Sequence, residues 1–195
     1  MVYEVHILHT GYSRTVEGGT EANCTCSIIK GKYNLIVDTM TPWDQEIILK
    51  GLKDVGLSCE DIDYVISTHG HSDHTGNNNL FLKATHIVGF CISYKNHYYD
   101  EPFSKNEPFI LDEELKVIPT PGHTLSDVSV IVNTLKGTIA VTGDLFEREE
   151  DLIDDNIWRN AGSESPDNQI KHRNMILTLA DYIVPGHGPM FSVPK

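Results

Sequence analysis

One short stretch limits what this chain can be more than any other. Thr68-His69-Gly70-His71-Ser72-Asp73-His74 gathers three imidazoles and a carboxylate directly after an apolar run at 64–67. A strand ending in such a run delivers several nitrogen and oxygen donors to one point at the edge of a core. Donors this dense desolvate or repel one another unless a cation sits among them. A solitary histidine is usually an ordinary surface or core residue, but that reading does not explain His-x-His-x-Asp-His.

Three more donors stand in the same local setting, each after an apolar run and beside a turn breaker. Thr120-Pro121-Gly122-His123 follows the run at 115–118, Thr142-Gly143-Asp144 that at 138–141, and Pro185-Gly186-His187-Gly188 that at 182–184. Glycine or proline beside each donor lets the backbone bend sharply and approach a buried ion. The set is His69, His71, His74, His123, His187, Asp73 and Asp144. It exceeds what one tetrahedral ion takes and suits two divalent ions sharing a carboxylate and a solvent oxygen. Imidazole with carboxylate and no thiolate fits Zn(II), with Fe or Mn as alternatives. Two ions about 3.5–4 Å apart clamp a bridging water and lower its pKa to about 7, so that hydroxide forms at neutral pH. The helical His-Glu-x-x-His pattern is absent, which removes that class of metalloprotease.

With His69-x-His71-x-Asp73-His74, then His123, Asp144 and His187 in this order, the chain resembles the metallo-β-lactamase fold superfamily. The likeness rests on residues 68–81, 120–123, 127–132, 137–148 and 180–193. It implies an α/β (α+β) fold, a four-layer αββα sandwich with the site along one edge between the sheets. It also implies that His69, His71 and His123 hold a first metal, and that Asp73, His74 and His187 hold a second. Asp144 would bridge the two. Asp38, closing the run 35–37, matches a position that buttresses a metal-binding histidine. Asp144 stands where the commonest zinc β-lactamases carry cysteine, so β-lactam hydrolysis is not expected. His71 excludes the flavodiiron pattern, which has glutamate there.

Gly143-Asp144-Leu145-Phe146-Glu147-Arg148 and Val184-Pro185-Gly186-His187-Gly188-Pro189 point to a narrower group within the superfamily. That likeness implies an endoribonuclease acting on the 3′ ends of replication-dependent histone pre-mRNAs, and a homodimer. The expected reaction is attack by the bridging hydroxide, oriented by Asp73, on phosphorus or a carbonyl. An ester or thioester hydrolase of the glyoxalase II kind, or a lactone hydrolase, is the alternative. An iron-dependent persulfide dioxygenase is a further use of the same fold.

The remainder of the sequence is ordinary for a folded domain. With 195 residues, 39% of them hydrophobic, one domain over 1–195 is expected. A net charge of −13 and the lack of a basic cluster argue against tight nonspecific nucleic-acid binding. Scattered Arg148, Lys171, His172 and Arg173 are the candidate phosphate contacts. No apolar run is long enough to span a bilayer, and the N-terminus alternates like a strand. A cytosolic protein is therefore expected, with the nucleus as a second location, neither secreted nor membrane-bound. Cys24, Cys26, Cys59 and Cys91 form no CxxC pair, which suits a reducing compartment.

Strands are expected at 5–8, 26–29, 35–37, 64–66, 87–90, 115–118, 128–132, 138–141 and 182–184. One helix should open at Thr41 with Pro42 in its first position, another at Ser165-Pro166, and a short one after His74. The irregular stretches 100–114 and 147–166 are expected as surface loops, long enough to border a site. Tyr12, Trp43 and Trp158 could stack on a substrate, although loop aromatics usually pack on the core.

Overall fold

A computed structural model describes residues 2–194 of the chain. The first half runs through β1 (Glu4–His9), β2 (Tyr12–Val16), β3 (Gly19–Asn23), β4 (Cys26–Lys30) and β5 (Leu35–Val37). Helix α1 (Gln45–Asp54) leads to β6 (Tyr64–Ser67), then α2 (Ser72–Thr75), β7 (Thr85–Val88), β8 (Cys91–Tyr94) and β9 (His97–Tyr99). The second half holds β10 (Phe109–Ile110), β11 (Leu115–Pro119), β12 (Val128–Thr134) and β13 (Gly137–Gly143). Helices α3 (Asn156–Ala161) and α4 (Pro166–Leu179) precede β14 (Tyr182–Pro185) and β15 (Phe191–Ser192).

These strands form two large sheets. The first has the order β1-β4-β5-β6-β7-β8-β9 and the second β10-β11-β12-β13-β14-β15, while β2 and β3 pair as a separate hairpin. Side-chain alternation sets the layering. On β5, Leu35 and Val37 enter the core between the sheets and Ile36 points the other way, toward Ile48 and Leu52 of α1. On β12, Val128, Val130 and Val132 face inward, while Ile131 faces outward to meet Ile176 of α4. The result is helix, sheet, sheet, helix. Burial of the outward isoleucines under one helix each is what fixes α1 and α4 in place, at about 1.5–3 kcal/mol per fully buried side chain.

The expected strands all form, though β7 ends at Val88 because Gly89 turns at φ +52°. The hairpin β2–β3 and the short β8, β9, β10 and β15 were not expected. Helix α1 begins at Gln45, four residues after Thr41. Residues 41–44 make a turn instead, in which Asp44 accepts from Thr41 N and Thr41 Oγ1 and so turns away from the helix. The short helix begins at Ser72, before His74, and carries both Asp73 and His74. Helix α4 starts at Pro166 as expected, but its buried face is mostly polar: Gln169, His172 and Arg173 with Ile176. Among the described residues, no helix is long and apolar enough to cross a membrane.

Candidate metal centre

The donors converge because four chain segments end at one rim of the sandwich. Strand β6 stops at Ser67, and Thr68 then clamps the turn: its N–H donates to Asp38 Oδ1 at 2.7 Å, and its carbonyl accepts from Val128 N of the other sheet at 2.8 Å. Asp38 itself stands at φ +57°, a left-handed conformation that side chains other than glycine adopt at a cost. Strands β13 and β14 are parallel, with Gly143 opposite Pro185, so Asp144 and His187 leave their strands side by side. The approach is close enough to demand glycine. A Cβ on Gly186 would lie 1.9 Å from Asp144 Oδ1, and one on Gly143, at φ +52°, 2.2 Å from Thr68 Oγ1. The turn bearing His123 is held by Asp127, whose carboxylate accepts from Gly122 N (3.0 Å), Thr124 N (2.7 Å) and Thr124 Oγ1 (2.7 Å).

Asp144 sits at the middle. Its Oδ2 is 3.3 Å from His187 Nε2, 3.4 Å from His123 Nε2 and 3.6 Å from His69 Nε2, and its Oδ1 is 3.2 Å from His74 Nε2. His71 Nδ1 lies 2.8 Å from His69 Nε2 and 3.1 Å from His123 Nε2. Asp73 Oδ2 is 3.9 Å from the Nε2 atoms of both His74 and His187. His69, His74, His123, His187 and Asp144 are buried, whereas His71 is exposed and Asp73 half-exposed, so the cluster opens to solvent on that side.

The far ring nitrogens explain which way the rings face. His74 Nδ1 is 2.9 Å from Asp38 Oδ2, His123 Nδ1 2.8 Å from the Gly162 carbonyl, and His187 Nδ1 3.0 Å from the Asn23 carbonyl. An Nδ1–H that donates outward leaves Nε2 as a bare acceptor pointing inward. In those tautomers Nε2 of His74, His123 and His187 faces the Asp144 carboxylate as a further acceptor. His74 Nε2 and Asp144 Oδ1 are both buried without a hydrogen bond. This donor set fits cations. Among the groups of ligand atoms close enough to share an ion are His69, His71, His123 and Asp144, and Asp73, His74 and His187.

Without a cation, protons on His74 and His187 take its place beside Asp144. Burial alone would raise the Asp144 carboxyl, but His74 and His187 reverse that and hold it well below the usual range. Burial would lower His187, yet Asp144 pushes it up to about 9. Burial keeps His69 well below its ordinary value, helped by the neighbouring His74.

A cavity of about 590 Å³ opens over the cluster. One wall is the β2–β3 hairpin, through Ser13, Arg14 and Thr15; the other is α3, through Asn156 and Asn160. The stretch 147–166 thus borders the site, whereas 100–114 does not: it buries Phe103 in the inter-sheet core. Arg148 lines the cavity and its Nη1 donates to the Ser13 carbonyl at 3.3 Å. Arg173 and His172 are not available to a phosphate. Arg173 is buried on Asp151 and donates to the Leu145 carbonyl at 2.8 Å, and His172 bonds the Pro121 carbonyl at 2.7 Å. Lys171 is exposed on α4 and, like Trp43, is not among the residues lining the cavity, and Trp158 is buried beside Arg173.

Glu147 also belongs here, and the sequence motifs did not single it out. Its backbone is pinned on both sides, N–H to Asp151 Oδ2 at 2.8 Å and carbonyl to His187 N at 2.9 Å. Burial, with Asp144 adding to it, pushes its carboxyl up to about 8. Its signal was spacing: three residues beyond Asp144, one turn on.

Residues 19–187 match the family model of the metallo-beta-lactamase superfamily. Metallo-beta-lactamase domain-containing protein 1 of Xenopus laevis is 42% identical over 197 residues, covering 99% of this chain and 83% of that one. An N-acyl homoserine lactonase of Bacillus cereus is 29% identical over 161 residues, 76% of this chain and 64% of that one. Among solved structures, a metallo-beta-lactamase-type protein of Thermotoga maritima superposes with a TM-score of 0.73 at 22% identity, over 98% of this chain and 100% of that one. Fold, ligand-bearing turns and sequence likeness agree, and the chain belongs to the metallo-beta-lactamase superfamily.

Proposed function

We propose that this metal-dependent hydrolase holds two divalent cations, Zn(II) first among them, and cleaves single-stranded RNA of the histone pre-mRNA 3′-end type. The observation that carries the two-cation reading is Asp144, with one carboxylate oxygen toward His74 and the other toward His69, His123 and His187. His69, His71 and His123 would hold one cation, Asp73, His74 and His187 the other, with Asp144 between them and Asp38 fixing His74. Bound cations supply Lewis acidity and ionise water near neutral pH.

The chain's own residues do the rest. Asp73 is the half-exposed carboxylate at the mouth of the cluster, placed to accept a hydrogen bond from the attacking water and aim it. Arg148, anchored to the hairpin, faces the cavity where a scissile phosphate would enter and can neutralise a non-bridging oxygen. Asn156 and Asn160 offer amide groups for bases or sugars along the opposite wall. The RNA reading is supported by the likeness of the 143–148 and 184–189 runs and by a cavity lined with Arg148 and with the Asn156 and Asn160 amides.

Hydrolysis of a lactone or thioester is the second reading. It is favoured by the likeness to the Bacillus cereus lactonase and by the acidic balance of the chain. One experiment separates them: single-stranded RNA, lactones and thioesters incubated with the protein, with and without chelator, beside His69→Ala. RNA cleavage lost with chelator and in the variant supports the proposal. Turnover of lactone or thioester alone ends the nuclease reading, and chelator-insensitive turnover ends the cation reading.

A further inference from the structure

The two halves of the cluster differ in kind. Around His69, His71 and His123 the donors are three imidazoles and one oxygen of Asp144. Around His74 and His187 they are two imidazoles with Asp73 and Asp144, and Glu147 stands against His187 and Asp144. Ligand atoms of Asp144, Glu147 and His187 all lie within 4.8 Å of one another, as do those of Asp73, His74 and His187. Glu147 is 3% exposed and lines the cavity, and among the described residues its carboxylate accepts no hydrogen bond. Holding two carboxyl groups together in a buried place, one of them without a hydrogen bond, costs free energy unless a cation joins them.

The backbone of Glu147 is fixed from both sides. Phe146 N bonds the Gly143 carbonyl at 3.2 Å, closing the turn that carries Asp144, and Glu147 then bonds Asp151 and His187 through its backbone. One turn places both carboxylates against His187. A short loop is therefore committed to presenting two oxygens to one position.

Resting on the two-cation reading above, we propose that Glu147 is an additional oxygen ligand of the His74–His187 position. With it, that position accepts a harder, higher-coordinate ion such as Mn(II) far more readily than the three-histidine position does, which keeps Zn(II). The chemistry is that of ligand softness: imidazole-rich sets suit zinc, and carboxylate-rich sets suit manganese. Three carboxylates with two imidazoles also offer more than the four ligands of a tetrahedral zinc site.

The test uses the 195-residue chain stripped by chelator, loaded with one equivalent of Zn(II) and then dialysed against excess Mn(II). Bound metal is counted by mass spectrometry, and free Mn(II) by its electron paramagnetic resonance signal. The expected wild-type result is one zinc and one manganese per chain. In Glu147→Gln the first zinc should remain, showing that the variant folds, while manganese affinity falls about tenfold or more. Glu147→Asp, which keeps a carboxylate one methylene shorter, should lie between them. Two cations in the wild type with unchanged affinity and selectivity in Glu147→Gln would overturn this inference and leave the two-cation reading standing. A wild type that takes only one cation would overturn both.

Discussion

Asp38 Oδ2 lies 2.9 Å from His74 Nδ1, and both residues are fully buried. The same carboxylate accepts from Thr68 N–H, so a single side chain fixes the first turn after β6 and the ring direction of a histidine within it. Asp38→Ala should deprive Thr68 N–H, the Thr68 hydroxyl and His74 Nδ1 of their buried acceptor, at about 1–3 kcal/mol each, and lower Tm sharply. Asp38→Asn is the more informative change, because asparagine tolerates the left-handed backbone and can still accept from Thr68. It should fold but bind cations about 10–100-fold more weakly. Competition against a chromogenic chelator measures this, and wild-type affinity in Asp38→Asn would refute the buttressing role.

Cation removal should cost stability as well as activity. The inward-facing acceptors come from both sheets, with His69, His71, Asp73 and His74 following β6, and His123, Asp144 and His187 following strands of the other sheet. A ligand bound only by the folded state at about 1,000 times its Kd adds about 4 kcal/mol. Calorimetry with and without chelator should therefore show a lower Tm for stripped protein, restored by adding the ion back. Superimposable traces would contradict it.

Arg173 and Arg148 should behave as opposites. Arg173 is bound to Asp151 and stacked on Phe146 with its Cζ 4.2 Å from the ring centroid, so Arg173→Ala leaves a buried carboxylate unpaired. We expect a loss of about 3–5 kcal/mol, with little specific effect on KM in whatever protein folds. Arg148→Ala should leave Tm almost unchanged and raise KM for RNA. Thermal melts and steady-state kinetics on both variants distinguish these outcomes, and a stability loss in Arg148→Ala equal to that of Arg173→Ala would reject the assignment.

Two glycines give a paired control. Gly186→Ala drives a methyl group into Asp144 Oδ1 and should abolish cation retention, whereas a Cβ on Gly70, though it sits between two histidines, meets nothing within 4 Å. Gly70→Ala should retain its metal. Metal analysis of the two purified variants checks the contrast, and equal retention would show that the Asp144–Gly186 contact is not limiting.

Much of the fold was legible because its strands are short apolar runs closed by turn residues, and because each donor follows such a run directly. What stayed hidden depended on contacts distant in sequence. Residues 12–23 are too polar and exposed to read as strands, and only their mutual pairing makes them a hairpin. Thr41 looked like a helix cap, but Asn23 and Thr41 both donate to Asp44, which moves the helix start to Gln45. His172 and Arg173 looked like surface cations, yet α4 is attached through them to backbone carbonyls. Glu147 resembled any acid in an acidic loop until its place beside His187 was known.

The hairpin strand β2 lies ahead of residue 19, where the match to the superfamily begins, yet Ser13, Arg14 and Thr15 wall the cavity. The same ribbon closes at Asn23, whose carbonyl holds the His187 ring, so it touches the reactive centre at its end and the entrance along its length. Exchanging only 13–15 between relatives should therefore alter what enters while the grip on that ring is kept.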